Sequence, residues 1–159
     1  MERPVPDREP PLPKLTAPAG VHRAPRAFPE EELRILRAAQ SNALLIGPTW
    51  ATDAAIELVV ADRREHISFW TPAQPIRVSP HTIVVIRDVG LLAQHVQGRW
   101  VAALNRCPHD QLPQVISTNS FSVFPLVGRG VFLDSLYYRL NCVLVDFRST
   151  RLPQAPEAS

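Results

Sequence analysis

Apolar residues in this chain occur in short runs that proline, glycine and charged residues separate. After Phe28-Pro-Glu-Glu-Glu, the residues Leu33, Ile35 and Leu36 have helical spacing. Pro29 suits a first helical turn, and the three glutamates suit the positive end of the helix dipole. This pattern predicts a helix to about Gln40. The next apolar run, Asn42-Ala-Leu-Leu-Ile-Gly47, stops at glycine and predicts a buried strand.

The run Thr82-Ile-Val-Val-Ile-Arg87 gives the strongest strand prediction, because it is β-branched throughout and shows no polar alternation. Such a run is typical of a central strand that is covered on both faces. The same reasoning predicts further helices at 54–61, 91–105 and 133–140, and further strands at 66–70, 114–118 and 142–146. Strands that alternate with helices predict a three-layer α/β fold with a mainly parallel, five-stranded sheet.

Proline marks the expected boundaries of the domain. Residues 1 to 28 contain seven prolines among charged and small residues, which predicts an extended, disordered arm. The segment 71–81 contains three more and is predicted to be a loop. We therefore expect an arm at 1–28, one α/β domain at 29–147 and a tail at 148–159.

Composition excludes several classes of function. Of the 159 residues 45% are hydrophobic and 20% are charged, with a formal net charge of only +2, so no electrostatic footprint for nucleic acid is present. Cys107 and Cys142 lie far apart, and Cys107-Pro-His109 has no second ligand pair, so no metal site is predicted. No apolar run is long enough to span a membrane, and no signal peptide is recognisable, which predicts a cytoplasmic protein.

Two neighbouring segments carry a resemblance to a known family. They are Val115-Ile-Ser-Thr-Asn119 and Gly130-Val-Phe-Leu-Asp-Ser-Leu-Tyr-Tyr-Arg-Leu-Asn141. The pair resembles the C-terminal half of the ATPase domain of bacterial sigma-54-dependent transcriptional activators, a branch of the AAA+ family. There, a strand ending in Thr-Asn precedes a Gly-x-Phe-Arg-x-Asp-Leu-Tyr-Tyr-Arg-Leu-Asn stretch. The resemblance implies a P-loop NTPase sheet of AAA+ type, and because the chain ends soon after the last strand, we expect it to lack the helical lid.

The resemblance also implies a phosphate-binding loop after the first strand. In the family the sequence of this loop is Gly-Glu-Thr-Gly-Thr-Gly-Lys-Glu. Such a loop needs glycines where backbone N–H groups crowd the anion, and a lysine that reaches the outer phosphates. The matching stretch here is Gly47-Pro-Thr-Trp-Ala-Thr-Asp-Ala54. Gly47 and Thr49 match the family's loop. Trp50 and Thr52 stand where the family has its two later glycines, and Asp53 stands at the lysine position. The expected nucleotide loop is therefore degenerate, and its alternative role is a structural strand-to-helix turn.

A pair of acidic residues should follow the third strand and hold Mg²⁺. The family pattern is Gly-Thr-Leu-Phe-Leu-Asp-Glu-Ile-Gly, whereas this chain has Thr82-Ile-Val-Val-Ile-Arg-Asp-Val-Gly90. Arg87 replaces the first acid, and Asp88 is a shortened second one. Asp88 is expected to pair with Arg87 or to cap the next helix rather than to act as a general base.

The third element of the family's site is better preserved. Asn119 matches the polar sensor residue that reads the γ-phosphate. Of two arginines that reach the neighbouring subunit's ATP, the first is Leu133 here and the second is retained as Arg139. Arg139 is expected either to contact a partner subunit or to form a salt bridge with Asp134 or another acid near its helix. Asp88, Asn119 and Arg139 are thus the remnants of a catalytic set.

These comparisons favour a domain that is not an ATPase, for which neither ATP nor Mg²⁺ is an expected cofactor. Its expected partner is a protein, either AAA+ activator subunits or a second copy. The family's sigma-54-contacting loop, Gly-Ala-Phe-Thr-Gly-Ala, is missing, so no direct sigma-54 contact is expected, and no DNA-binding helix is recognisable. Two alternatives remain open: a weak ATPase that a partner subunit completes, and a scaffold that binds through the proline-rich arm.

Overall fold

The computed structural model describes residues 25–152, and in that range all five strands run parallel in the order β2-β3-β4-β1-β5. The strands are β1 (Ala43–Ile46), β2 (Ile67–Trp70), β3 (Ile83–Ile86), β4 (Gln114–Asn119) and β5 (Val143–Asp146). The helices are α1 (Glu30–Ala39), α2 (Thr49–Val60), α3 (Gln94–Arg106), α4 (Phe124–Gly128) and α5 (Asp134–Leu140). The predicted five-stranded α/β sheet is confirmed.

Two hydrophobic layers cover the sheet, one on each face. On one face, α1 and α2 pack on alternate strand residues that include Leu45, Val85 and Ile116. On the other face, α3, α4 and α5 pack on the intervening residues, which include Leu44 and Ile86. All four residues of β1 and all four of β3 are buried, because each of these strands has neighbours on both sides and helices on both faces. This is why their sequences show no polar alternation.

The predicted helix at 54–61 begins too late, because α2 already starts at Thr49. The residues that replace the expected loop glycines, Trp50 and Thr52, adopt helical conformation, and Trp50 packs against the apolar layer beneath α1 and α2. Other differences are smaller. The helix α4 was not predicted, nor were three short 3₁₀ helices, Arg64–His66, Val89–Leu91 and His109–Gln111. The predicted loop at 71–81 is confirmed, since it contains neither a helix nor a strand.

Most of the predicted arm and tail, residues 1–24 and 153–159, lies outside the described range. The described ends of the chain meet beside β5. Arg26 and Thr150 form an isolated parallel bridge, in which Arg26 N–H donates to Ser149 O at 2.9 Å. The Phe28 ring also packs on the Phe147 ring, with 5.5 Å between centroids. No helix of residues 25–152 has both the length and the apolar character needed to cross a bilayer.

Candidate functional site

All the residues predicted from the sequence except Arg139 lie at the carboxyl edge of the sheet, where ligands bind in open parallel α/β folds. A cavity of about 80 Å³ lies there between the ends of β1, β3 and β4. Its lining includes five residues that the sequence analysis had selected: Gly47, Thr49, Thr52, Asp88 and Asn119. Arg87, Thr118 and Ser120 complete it. Small-molecule sites in proteins usually enclose about 300–1,000 Å³, so this cavity is small for a nucleotide.

The connection between β1 and α2 is too short to be a phosphate-wrapping loop. Only Gly47 and Pro48 separate the end of β1 from the first residue of α2. Three of the local N–H groups already have partners: Gly47 N donates to Asn119 O at 2.9 Å, and Ala51 N and Thr52 N donate to Pro48 O at 3.0 and 3.2 Å. A P-loop instead leaves successive amides free for an anion.

Gly47 has a steric reason to be glycine that does not involve a ligand. Its φ is +151°, and a Cβ at this position would lie 2.8 Å from Phe147 Cβ. Phe147, just after β5, is fully buried and donates its N–H to Ile46 O at 2.7 Å. The glycine therefore lets the chain after β5 approach the end of β1 closely.

Asp53 forms a salt bridge with Arg87, which lines the cavity. Asp53 lies on the second turn of α2, and Arg87 directly follows β3. Both side chains remain nearly half exposed, at 45% and 42%. The Arg87 guanidinium carbon also lies 5.4 Å from the centroid of the Phe69 ring, a cation–π geometry. Arg87 is thus held between an anion and an aromatic ring.

The Asp88 side chain neither pairs with Arg87 nor caps the next helix. Its expected partner Arg87 pairs with Asp53 instead, so the predicted Asp88–Arg87 pair is wrong. Asp88 does occupy the N-cap position of the 3₁₀ helix Val89–Leu91, with φ +50°, but its side chain makes no capping hydrogen bond. The backbone carbonyl alone serves as the cap, accepting from Leu91 N at 2.9 Å.

Asn119 is buried, and its side-chain amide makes two structural hydrogen bonds. The Oδ1 atom accepts from Gly90 N at 3.1 Å, and Nδ2 donates to Phe121 O at 2.8 Å. These bonds connect the end of β4 to the segment after β3 and to the segment that leads into α4. Gly90 must be small here, because a Cβ would lie 2.8 Å from Asn119 Nδ2.

Arg139 lies away from the other candidate residues. Because α5 runs antiparallel to the strands, its last turn is at the amino edge, where Arg139 O accepts from Asn42 Nδ2 at 2.9 Å. The predicted salt bridge to Asp134 is wrong, because the guanidinium donates to Asn105 Oδ1 at the end of α3. The Asp134 carboxylate accepts from Ser135 N instead.

Sequence analysis missed Gln97, a fully buried amide on α3. Its Nε2 donates to Leu92 O at 2.8 Å and to Val131 O at 3.2 Å, and its Oε1 accepts from Leu133 N at 2.7 Å. Gln97 therefore connects the segment before α5 to α3 through hydrogen bonds. Its position beside Val96, within the apolar face of the predicted helix, could have indicated that Gln97 is buried.

Within residues 25–152, no group of three or more His, Cys, Asp or Glu side chains could hold a metal ion. Both cysteines are free, and Cys107 Sγ donates to the nearby Gln111 O at 3.1 Å.

The five-stranded parallel α/β fold of this chain is similar to that of several solved structures. Structural neighbours include NtrX from Brucella abortus in complex with ADP, at 14% identity and a TM-score of 0.58, and in complex with ATP, at 12% and 0.59. A point variant of RuvB from Thermotoga maritima matches at 13% identity and a TM-score of 0.52. Each match covers 74% of this chain, which spans only 35% of the NtrX chains and 43% of the RuvB chain.

No family model matches the sequence, and no curated protein matches it either. Likeness at 12–14% identity shows the fold alone.

Proposed function

We propose that this chain is an AAA+-like domain that does not hydrolyse ATP and acts through protein contacts. The observation that carries the proposal is the salt bridge between Asp53 and Arg87. In the family pattern a lysine stands at the first position and a metal-binding acid at the second. Here both charges are reversed, and the two side chains neutralise each other where phosphate and Mg²⁺ would have to lie.

Electrostatics argues against Mg²⁺-ATP at this edge of the sheet. A charge pair about 4 Å apart is worth roughly 4 kcal/mol at an effective dielectric near 20, so replacing attraction by repulsion removes several kcal/mol. Each 1.4 kcal/mol is about tenfold in affinity. Asp53 would face the phosphates, and Arg87 would repel the metal ion.

Backbone geometry supports the same conclusion independently of charge. Since α2 begins at Thr49, helix occupies the chain positions where the P-loop would wrap a phosphate. The side chain of Asn119, the remnant of the sensor, already bonds to Gly90 and Phe121. The NtrX complexes contain ADP or ATP on a similar fold, so the fold itself does not prevent nucleotide binding. The local residues are what differ.

Calorimetric titration with ATP and Mg²⁺ tests the proposal. We expect no binding up to millimolar ATP. The double variant Asp53→Lys/Arg87→Asp is the control, because it introduces the family's charges without the family's loop. We expect that this variant does not bind ATP either. Micromolar binding by the native chain would contradict the proposal and favour an ATPase that a partner subunit completes. Binding only by the double variant would show that charge, not backbone, is the obstacle.

The proposed role lies in transcription regulation, as a modulator of sigma-54-dependent activators. The resemblance at 130–141 and the fold shared with NtrX support it. Rings of cooperating ATPase subunits are sensitive to an inactive member, so the chain should lower the ATPase rate of an activator's AAA+ domain when it is added in excess. An unchanged rate at every ratio of the two proteins would contradict this role.

A further inference from the structure

The strand β2 forms one edge of the sheet and pairs with β3 alone. An edge strand presents a row of unpaired backbone N–H and C=O groups on its outer side. Within residues 25–152, the backbone of β2 makes no hydrogen bond outside its ladder with β3. The outer groups of β2 are therefore open to a further extended chain.

The sequence of β2 does nothing to prevent such pairing. Its four residues are Ile-Ser-Phe-Trp, with neither a charge nor a proline, which are the usual means of protecting an edge. The other edge strand, β5, ends in Asp146, which pairs with Arg148. Of the two edges, β2 is thus the one better suited to accept an added strand.

A pocket of about 300 Å³ lies beside β2, and β2, β3 and the loop at 71–81 all line it. Its apolar lining includes Trp70, Pro75 and Val84, and Arg77 from the loop is its one charged residue. Trp70 and Val84 belong to the apolar layer that α3, α4 and α5 cover, so the pocket lies on that face of the sheet. Every second side chain of a strand added beside β2 would point to the same face.

Two hydrogen-bond donors of this pocket have no partner within residues 25–152. Arg77 is exposed, and its guanidinium makes neither an ion pair nor a hydrogen bond. Trp70 is only 8% exposed, and its Nε1 donates to nothing. Carboxylates accept hydrogen bonds without donating any, and they pair well with guanidinium groups. The pocket therefore suits a side chain with an apolar stem and a carboxylate, as glutamate has.

Phe69 determines what should stand next to that glutamate. It lies in register with Val85, which belongs to the apolar layer beneath α1 and α2, so the Phe69 ring is on the other face of the sheet. The ring is 48% exposed and has the Arg87 guanidinium over it. An apolar residue adjacent to the glutamate would contact this ring.

We propose that β2 receives, as an added strand, an extended segment of another protein in which β-branched residues flank a glutamate, and that this glutamate bonds to Arg77. The ends of the chain itself lack this chemistry, because residues 1–24 contain six prolines and residues 153–159 contain two, and proline cannot donate to a ladder. The β2 strand of a second copy contains no acid. This inference rests on the proposed function and deepens it, by stating the chemistry of the protein that the domain contacts.

Titration of the full chain with the peptide acetyl-Thr-Val-Glu-Val-Thr-Val-amide, followed by backbone NMR, tests the proposal. We expect saturable shifts of the β2 amides and slower hydrogen exchange at those that point away from β3. Two N-methylated isomers of the peptide test the pairing, because alternate N–H groups of a strand point to opposite edges. Methylation along one edge should abolish binding, and methylation along the other should not. Equal affinities of the two isomers, or no binding of the parent peptide up to millimolar concentration, would overturn the proposal.

A charge exchange tests the role of Arg77. Arg77→Glu should weaken binding of the glutamate peptide about fivefold or more, and it should bind the peptide with lysine in place of glutamate better than the native chain does. Arg129→Glu makes the same change at an exposed arginine that does not line the pocket, so it is the matched control and should bind normally. Equal weakening in the two variants would reveal a general effect of charge and would overturn the assignment of the glutamate to Arg77.

Hydrogen exchange of the chain without peptide tests for other occupants of the edge. If the edge is open, the β2 amides that point away from β3 exchange fast. Protection of all four would show that an end of the chain or a second copy already pairs there, and it would overturn the proposal. The ATP titration separates this inference from the proposed function. A chain that binds neither ATP nor the peptide would lose this inference alone, whereas a chain that binds both would contradict the proposed absence of hydrolysis and not the strand pairing.

Discussion

Asp53 and Arg87 pair directly across the carboxyl edge of the sheet. The gap between α2 and β3 therefore contains one negative and one positive side chain that neutralise each other. The pair therefore has a structural use even where no ligand is bound. Because both side chains are nearly half exposed, its contribution should be modest, about 0.2–1 kcal/mol.

A double-mutant cycle measures this pair. Asp53→Lys and Arg87→Asp should each lower the free energy of unfolding by about 1 kcal/mol, because each brings like charges together. The double variant should recover to within about 0.5 kcal/mol of the native chain. Urea denaturation gives the values. Purely additive losses would show that the two side chains do not interact. Asp53→Lys alone should also show no Mg²⁺-dependent ATP turnover.

Gly47→Ala should destabilise the domain by about 2–4 kcal/mol, because the new methyl group would overlap Phe147 at an unfavourable φ. Gly98→Ala is the matched control. Gly98 lies within α3 with nothing within 4 Å of an added Cβ, so alanine there should stabilise by about 0.5–1 kcal/mol. Thermal unfolding of the two variants should shift in opposite directions, and equal shifts would contradict this role of Gly47.

Asn119→Ala should lower the free energy of unfolding by about 1–3 kcal/mol, because it removes two buried hydrogen bonds and leaves Gly90 N–H and Phe121 O without them. Ser120→Ala changes the next residue, an exposed one that lines the same cavity, and should stay within about 0.5 kcal/mol of the native chain. A stable Asn119→Ala domain would mean that the amide serves a ligand instead of the fold.

Arg139→Ala should leave the fold intact, because the side chain is only partly buried and its hydrogen bond is to the exposed side chain of Asn105. Circular dichroism should be unchanged, while association with the activator's ATPase domain should weaken. Asn105→Ala removes the same contact but keeps the cation, so it separates the two roles. Unfolding of Arg139→Ala, or equally weak association in both variants, would make Arg139 a structural residue.

Asp62 provides a test of local electrostatics. The hydrogen bond from Arg37 holds the pKa of the Asp62 carboxyl below its usual value of 3.8, against a smaller opposing effect of burial. Since the folded pKa is lowered, the pair's stabilisation is present above that usual value and is lost as pH falls through the lower folded value. Carboxyl ¹³C titration by NMR should give a midpoint below 3.8, and Arg37→Leu should return it towards 3.8.

Much of the sheet could be predicted, because the local pattern and the tertiary environment agree there. Ile83–Ile86 is β-branched and buried at every position, so no other element competes for it. The start of α2 could not be predicted by comparison with a glycine-rich loop, because Trp50 and Thr52 accept helical φ and Trp50 gains burial by doing so. The helix α4 was not predicted, because its apolar residue Phe124 is exposed and so does not fit a pattern of buried apolar positions.

The sequence predicted which residues lie near one another at the candidate site, but not which side chains bond to each other. Gly47, Thr49, Thr52, Asp88 and Asn119 do meet at one cavity, because strand order alone brings the ends of β1, β3 and β4 together. The pairing of these side chains depends on the distances between residues on different strands, and those distances cannot be read from the sequence. Asp53 was therefore predicted only at the lysine position of the expected loop, without its bond to Arg87.

The bridge between Arg26 and Thr150 places both ends of the described chain at one corner, beside the edge strand β5. The other edge strand of the sheet is β2, on the far side from β5. A tether, label or fused domain joined at residue 25 or at residue 152 would thus leave the described domain from a single corner, away from β2. Residues 25 and 152 are also near enough for a short peptide to join them, which would close the described domain into a circle.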